Sequence, residues 1–287
     1  MRRVAELSVD QLVDLAESAP LGRPAHLYLR NKMLAEIERI ERGARRAAGR
    51  FYAVFTAGGP QMIAFFSSVR VLVLGPASDA PGAAASAAAL RSLATRTERG
   101  FRIVIGPDAA VSAFLDALPA KVRIDLSRSQ PFLRVARADK LGSGRPARIA
   151  TPYDSQWLLH ASLMLNEEDL AIPAASVDRG LLRARVDERI AAGCTWITEV
   201  HGKPAAKLDV GDEGPAGALI EGVYTEPKLR GGGLARGLVA EVSRGLLDRW
   251  PCVGLHVSRA NTPAVRAYLA AGFEEVENLR LALVSWK

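Results

Sequence analysis

The hydrophobic pattern in the second half of the chain predicts helices followed by strands. Two helices and three strands are predicted, at residues 154–166, 178–192, 195–201, 204–210 and 218–225. Gly202 and Lys203 are suited to a hairpin turn between the first two strands, and residues 211–217 form the next turn. Pro227 ends the last strand, because proline supplies no N–H to a sheet.

Further elements follow that strand. An amphipathic run extends to about Trp250 and predicts a helix, and residues 253–257 alternate as a short strand. Another helix comes next. Thr262 can cap it, Pro263 is suited to its first turn, and Gly272 closes it.

The first half repeats this order of elements. Its predicted helices and strands lie at residues 8–17, 25–42, 51–56, 61–67, 69–74, 83–99 and 101–105. The sequence Ala-Val-Ser-Ala-Phe-Leu at Ala110 also matches Ala-Val-Arg-Ala-Tyr-Leu at Ala264, an offset of 264 − 110 = 154 residues. We therefore interpret the chain as two related halves, with chance similarity of short apolar runs as the alternative.

Three consecutive glycines lie between the strand at 218–225 and the helix after it. Without side chains around them, the N–H groups of Gly231, Gly232 and Gly233 can point at an anion, and the positive end of the helix dipole faces the same spot. No Gly-Lys-Ser/Thr or Gly-x-Gly-x-x-Gly pattern is present, which excludes two common phosphate loops. The turn is therefore predicted to bind a diphosphate, and tight packing alone is the other interpretation.

The spacing around these glycines resembles a known signature. The pattern Arg-x-x-Gly-x-Ala from Arg230, after a strand ending in Val-Tyr-Thr-x-Pro, is similar to the acetyl-CoA signature of the GNAT N-acetyltransferases. About 30 residues later, Asn-x-x-Ala-x-x-x-Tyr-x-x-x-Gly-Phe from Asn261 resembles the family's second signature. The resemblance covers residues 153–287 and is specific because both signatures stand in the family's order.

The resemblance and the repeat together imply a fold. They predict an α/β (α+β) protein of two tandem GNAT-like domains, each a mixed, mostly antiparallel sheet flanked by helices. The expected boundaries are residues 1–139 for a degenerate domain, 140–150 for a linker, and 151–287 for the catalytic domain. The first domain is expected to lack a CoA loop, since residues 76–81 contain two prolines and Asp79. Phe114 stands where the second half has Tyr268.

The resemblance also implies how acetyl-CoA is bound. Backbone amides of five consecutive residues, with the side chain of Arg230, would hold the diphosphate. These five are Gly231, Gly232, Gly233, Leu234 and Ala235. The pantetheine arm would lie in an opening of the sheet and pair with Val223, Tyr224 and Thr225, and Asn261 would contact the pantetheine or the thioester.

The reaction implied is attack of a neutral amine on the thioester. A backbone N–H near Val223 would stabilise the oxyanion, and Tyr268 would give a proton to the departing thiolate. The base is less defined. Glu221 is two residues before Val223 and is expected on the same face of the strand, and Glu199 lies on a neighbouring predicted strand. Either could relay a proton, and either could be an ordinary surface carboxylate.

The function implied is an N-acetyltransferase that acts on a primary amine of a small molecule or a protein. An acidic cluster within residues 164–169 could attract a cationic acceptor, or it could be a solvated loop. The alternative is a non-catalytic CoA-binding sensor with the first half as a docking domain. The presence of Tyr268 and Asn261 favours the enzyme, because a sensor needs no proton donor.

The net positive charge of the chain comes from the first half. Residues 1–145 hold 22 Lys and Arg against 13 Asp and Glu, and the remaining residues hold 16 against 18, giving +9 and −2. The densest cluster consists of Arg39, Arg42, Arg45, Arg46 and Arg50. Such a cluster is compatible with a nucleic-acid partner, but the interleaved glutamates favour a solvated helix face.

The remaining composition bears on cellular location, on disulfide bonds and on metal binding. No apolar run reaches the roughly 18 residues of a membrane span, and no export signal is recognised, so we expect a cytoplasmic protein without membrane contact. Cys194 and Cys252 are expected to be free thiols, and the four histidines lack ligand spacing, so no metal site is expected. The oligomeric state is not indicated.

Overall fold

A computed structural model describes residues 2–18, 21–43, 49–67, 71–76, 85–86, 89–90 and 101–286. Most of the predicted helix at 83–99 and of the predicted turn at 76–81 lies outside these residues. Contacts divide the chain into two compact units. The first contains residues 1–132 and 276–287, and the second contains residues 133–275.

The first unit is a mixed sheet with helices. Its elements are β1 (Arg3–Glu6), α1 (Val9–Ala16), α2 (Leu27–Glu41), β2 (Gly49–Thr56), β3 (Gly59–Ser67), β4 (Val71–Pro76), β5 (Ile103–Pro107), α3 (Asp108–Asp116), β6 (Val122–Val135) and the last strand of the chain, β12 (Glu274–Trp286). The strand order is β1-β2-β3-β4-β5-β12-β6. The β4–β5 pair is parallel, whereas β1–β2, β2–β3, β3–β4 and β5–β12 are antiparallel.

The second unit repeats this order of elements. It contains β7 (Arg148–Ile149), α4 (Ser155–Leu170), α5 (Arg179–Ala191), β8 (Thr195–Val200), β9 (Lys203–Gly214), β10 (Gly217–Thr225), α6 (Leu234–Leu247), β11 (Val253–His256) and α7 (Thr262–Ala270). Its strand order is β11-β10-β9-β8-β7, with the end of β6 beside β11. Only β10–β11 is parallel among its paired strands of known register. The predicted fold class is therefore confirmed.

The last strand, β12, lies in the first unit. It pairs with β5 from Leu279 opposite Pro107 to Leu283 opposite Ile103, and Ala282 is fully buried in the first unit's core. The expected division at residues 139 and 151 placed this strand with the second half. No strand was predicted at these residues, and the pairing of β12 with β5 joins segments that are distant in sequence.

The expected linker at 140–150 is packed against the second unit. Leu141 is buried in that unit's core, and the N–H of Gly142 donates to the carbonyl of Ala271 at 3.1 Å. The chain instead passes from one unit to the other within β6, after Phe132.

Two turns differ from the prediction. His201 and Gly202 both have positive φ, 52° and 71°, so the β8–β9 hairpin turns at these two residues and not at Gly202 and Lys203. β9 also continues through Gly214, so the expected turn at 211–217 is mostly strand. Asp212, Glu213 and Gly214 remain paired with β10 beyond a register shift in the ladder.

The arginine cluster of the first half is largely paired within its described part. Arg39 bonds Glu36, Arg42 bonds Glu38, and Arg50 lies 3.7 Å from Glu6. Arg45 and Arg46 lie outside the described residues. The pairs of Arg39 and Arg42 agree with the interpretation of a solvated helix face, whereas Arg50 lies on β2.

Candidate active site

A β-bulge interrupts β10 in the middle of the second unit. Glu221 lies opposite Asp209 and Tyr224 opposite Lys207, so Gly222 and the next residue share one position of β9. Gly222 has φ of 60°, and a Cβ atom there would lie 2.5 Å from Oδ2 of Asp209. Only glycine suits this backbone position, because both the left-handed conformation and the close approach disfavour a side chain.

The bulge changes which side chains share a face. Glu221 reaches Arg189 on α5, whereas Val223 packs against the core cluster that contains α6 and α7. The expectation that Glu221 and Val223 share a face is therefore wrong. Regular alternation predicts a shared face for residues two apart, and the extra residue of the bulge reverses it.

β10 is paired with β11 only near the start of β10. Their register runs from Ala218 opposite Val253 to Ile220 opposite Leu255. Within the described residues, no further β11 partner follows for the bulge or for Val223, Tyr224 and Thr225. The backbone edge of β10 that faces β11 is therefore open, as expected for a strand that accepts an extended ligand.

The glycine turn places uncovered amides at the start of α6. Gly231 and Gly233 have φ of 81° and 73°. Gly233 is the N-cap residue and no side chain caps the helix. Among backbone bonds outside helices and strands in the described residues, none has Gly231, Gly232 or Gly233 as donor. With the first helical amides of Leu234 and Ala235, this turn can hold an anion.

Arg230 is engaged elsewhere in this structure. Its Nη2 atom lies 2.8 and 3.0 Å from the two carboxylate oxygens of Glu168, at the end of α4. Its Nε atom donates to the carbonyl of Thr225 at 3.0 Å, and the guanidinium lies 5.7 Å from the ring centre of Tyr224. The expected contact of Arg230 with a diphosphate stays a prediction.

Aromatic and acidic side chains meet between α4 and β10. The rings of Trp157 and Tyr224 are 6.4 Å apart, and Nε1 of Trp157 donates to Glu226 at 2.7 Å. The hydroxyl of Tyr224 is buried without a hydrogen bond among the described residues. Burial raises the pKa of Tyr224, and the charges of Glu226 and Glu168 raise it further. No local motif in the sequence indicates the place of Trp157 in this site.

Tyr268 is deeply buried in the core beside α6, with 6% of its surface exposed. Burial raises the pKa of its hydroxyl well above the ordinary value of 10, and the charge of Asp169 raises it further. The phenol is therefore protonated at neutral pH, the state that a proton donor requires. In the first unit, Phe114 is fully buried on α3 and has no hydroxyl.

Asn261 has a structural role at the start of α7. It is the N-cap residue, and its side-chain oxygen accepts a hydrogen bond from the N–H of Ala264 at 3.2 Å. Thr262, expected to cap the helix, is its first residue. Gly272 has φ of 105° and follows the helix end, as predicted. The expected contact of Asn261 with the cofactor stays a prediction.

A buried charged network lies directly behind the bulge. Lys207 and Asp209 are 3% and 4% exposed, and Nζ of Lys207 lies 2.5 Å from Oδ2 of Asp209. Asp209 also accepts from Thr195 at 2.7 Å and lies 2.8 Å from Arg189. Arg189 binds Glu221 as well. This network was not predicted, because its members come from four separate elements.

The two candidate bases lie in different surroundings. Glu221 is next to the bulge and paired with Arg189. Glu199 is on β8, with β9 between it and β10, and it binds Arg148 at 2.8 Å. Arg148 also binds Asp154 and lowers the pKa of that carboxyl to about 2. The position of Glu221 thus fits the expected base better, because Glu199 is two strands from the opening.

Cys194 and Cys252 are free, as predicted, and burial raises the pKa of both thiols. Within the described ranges, no group of three His, Cys, Asp or Glu could hold a metal ion. In the same part of the chain, no helix is long and apolar enough to cross a membrane.

Comparisons with known proteins support this architecture. Residues 213–281, which contain the glycine turn and the second signature, match the family model described as FR47-like protein. The chain is also 39% identical over 85 residues to the mycothiol acetyltransferase of Acidothermus cellulolyticus (strain ATCC 43068 / DSM 8971 / 11B). That match covers 28% of this chain and spans about a quarter, 26%, of the relative's length.

Solved structures match nearly the whole chain. A GCN5-related N-acetyltransferase from Sphaerobacter thermophilus is 14% identical, with a TM-score of 0.61 over 99% of this chain and 95% of its own. A tandem GNAT protein from the clavulanic acid biosynthesis pathway is 12% identical, with a TM-score of 0.50 over 100% of this chain and 98% of its own. The chain therefore has the tandem GNAT fold of these solved structures, and its residues 213–281 are similar to the FR47-like family.

Proposed function

We propose that the second unit transfers an acetyl group from acetyl-CoA to a primary amine. The observation that carries this proposal is one strand, β10, with an open edge and a bulge at Gly222 that leads directly into the uncapped glycine turn. A site for an extended thioester needs all three features along one line. The expected cytoplasmic location is part of this proposal.

The residues present fit acetyl-CoA, which would supply the activated acetyl thioester. The diphosphate would be held by the amides from Gly231 to Ala235, because they lie at a helix start that no side chain caps. The open edge at Val223–Thr225 would align the pantetheine arm. The N–H of Val223, turned by the bulge, is the proposed oxyanion donor.

Tyr268 is the proposed general acid. Its buried hydroxyl keeps its proton at neutral pH, so it can donate to a departing thiolate. Glu221 is the proposed base, acting through water on the acceptor amine. Arg189 fixes the orientation of the Glu221 carboxylate from α5.

The acceptor is proposed to enter beside the end of α4. Glu168, Asp169 and Glu226 contribute negative charge there, next to the aromatic pair of Trp157 and Tyr224. Carboxylates and aromatic faces both attract cations. This composition favours a cationic amine of a small molecule or a protein.

The test is release of free thiol from acetyl-CoA over a panel of amines and basic peptides. Thiol release with at least one acceptor, lost in Gly233→Asp, would support the proposal. The aspartate adds a negative charge and a strained side chain at the N-cap, where φ is 73°.

The second candidate is a CoA-binding sensor without catalysis. It predicts that CoA raises the melting temperature by binding the folded state, while no acceptor in the panel releases thiol. If CoA does not bind, neither function holds.

A further inference from the structure

Residues 142–145, within the expected linker at 140–150, lie along α6. Arg244 donates to the carbonyl of Gly142 at 3.0 Å. A Cβ atom on Gly144 would lie 2.0 Å from Oε2 of Glu241, so the absent side chain permits the close approach. The segment therefore follows α6 toward the helix start, where the glycine turn lies.

The side chain of Arg145 packs against α6 at a position occupied by glycine. Its N–H donates to the carbonyl of Gly237 at 3.1 Å. A Cβ atom on Gly237 would lie 2.6 Å from Cγ and 3.0 Å from Cδ of Arg145. Glycine is disfavoured within a helix, and here the space it leaves is filled by the aliphatic part of Arg145.

The side chain of Arg145 extends from α6 to the glycine turn. Nη2 of Arg145 donates to the carbonyl of Gly232 at 3.2 Å, and the residue is exposed. Arg236 is close by, because its Nη2 atom would lie 3.2 Å from a Cβ atom on Gly233. Two guanidinium groups thus lie at the positive end of α6, where the helix dipole disfavours cations.

Neither of these groups is neutralised within the part of the chain that the structure describes. Arg145 and Arg236 form no ion pair with a described residue. Arg230, by contrast, is bound to Glu168. The outer side of the turn therefore offers two unpaired cations to an anion.

We propose that Arg145 is a phosphate ligand of coenzyme A, so that a segment outside both family signatures completes the cofactor site. This inference rests on the proposed function. The ligand chemistry is a phosphate, either of the diphosphate or of the ribose 3′-phosphate. An exposed guanidinium suits both, because it can donate two hydrogen bonds to phosphate oxygens.

The test is calorimetric titration of the full chain with CoA and with dephospho-CoA, which lacks the 3′-phosphate. Arg145→Gln should weaken CoA binding about tenfold, the typical effect of losing one charge-assisted contact. Arg249→Gln is the matched control. It removes the same charge beyond the far end of α6, where Arg249 pairs with Glu213 at 3.1 Å, and it should change CoA affinity less than twofold.

A second variant tests the packing of Arg145 against α6 without removing the charge of Arg145. Gly237→Ala should displace the stem of Arg145 and weaken CoA binding roughly threefold or more, although alanine favours the helix. Melting temperatures of the variants check that each is folded.

The dephospho-CoA arm identifies the phosphate. If Arg145→Gln weakens the binding of CoA and of dephospho-CoA equally, Arg145 binds the diphosphate. If it weakens the binding of CoA alone, Arg145 binds the 3′-phosphate. The inference is overturned if Arg145→Gln binds CoA as the unaltered chain does, or if Arg249→Gln weakens binding equally. Absence of CoA binding by the unaltered chain would instead overturn the proposed function, and this inference with it.

Discussion

Glu168 binds the guanidinium of Arg230 through both carboxylate oxygens, at 2.8 and 3.0 Å. The two residues are 62 positions apart, and Arg230 opens the predicted diphosphate turn. If Arg230 binds the diphosphate, it must leave Glu168 first. The ion pair then opposes cofactor binding and frees a carboxylate for a cationic acceptor once the cofactor is bound.

Glu168→Gln is therefore expected to tighten CoA binding about threefold, because an exposed ion pair contributes roughly 0.2–1 kcal/mol. Titration calorimetry measures the effect. Glu167→Gln changes the same charge at the preceding, exposed position and should leave the affinity unchanged. Weaker binding in Glu168→Gln would show that the pair preorganises Arg230 and does not compete for it.

Tyr268→Phe is expected to slow thiol release about 100-fold while CoA affinity stays within twofold, because general acid catalysis contributes factors of this order. Tyr153→Phe, at a side chain that is 99% exposed, is the control. The raised pKa of Tyr268 also predicts that its proton is not lost below pH 10, so it contributes no decline in rate there. A decline below pH 10 that disappears in Tyr268→Phe would contradict the raised pKa.

Asp209→Asn should lower the free energy of unfolding of the second unit by about 3 kcal/mol, since it leaves Lys207 buried without its charged partner. The double variant Asp209→Leu, Lys207→Met removes both charges and should recover part of that loss. Urea denaturation compares the three proteins. A double variant less stable than Asp209→Asn would mean that the network contributes more than the burial of two apolar groups.

His26 makes the first unit sensitive to acid. Burial lowers the pKa of this histidine from 6.5 to about 4, and the charge of Arg23 lowers it further. Below pH 6.5 the unfolded chain binds a proton that the folded chain does not, so the free energy of unfolding falls as the pH decreases toward 4. The full loss is about 3 kcal/mol.

Denaturation at pH 7 and pH 5 checks this dependence in the unaltered chain and in His26→Asn, which should flatten it. His160→Gln, at an exposed histidine, should leave the dependence unchanged. Equal pH dependence in the unaltered chain and in His26→Asn would exclude His26 as the cause.

The local features of the site were predictable from sequence. The glycine turn, the preceding strand and the helix after it are contiguous, so their spacing alone defines Arg230 to Ala235. Tyr268 was singled out in the same way, because its motif lies on one short helix, and its role stays a prediction. The repeat was also visible, since Phe114 and Tyr268 occupy matching helices.

The rest depends on contacts between distant segments. Nothing near Glu168 or Arg145 in the sequence indicates that both lie beside the glycine turn, 62 and 87 residues away from their partners. The bulge at Gly222 was missed because alternation assumes a regular strand, and it placed Glu221 on the wrong face. β12 was not predicted, and its place beside β5 depends on pairing between segments that are distant in sequence.

The place of β12 also sets the order in which this protein can fold. β5 and β6 are made early, yet the strand between them begins only at Glu274. At about 5–20 residues per second, a ribosome needs roughly 7 to 28 s to make the intervening chain. During that time the nascent first half has an unfilled gap in its sheet, so its completion must wait until translation of the second half has ended.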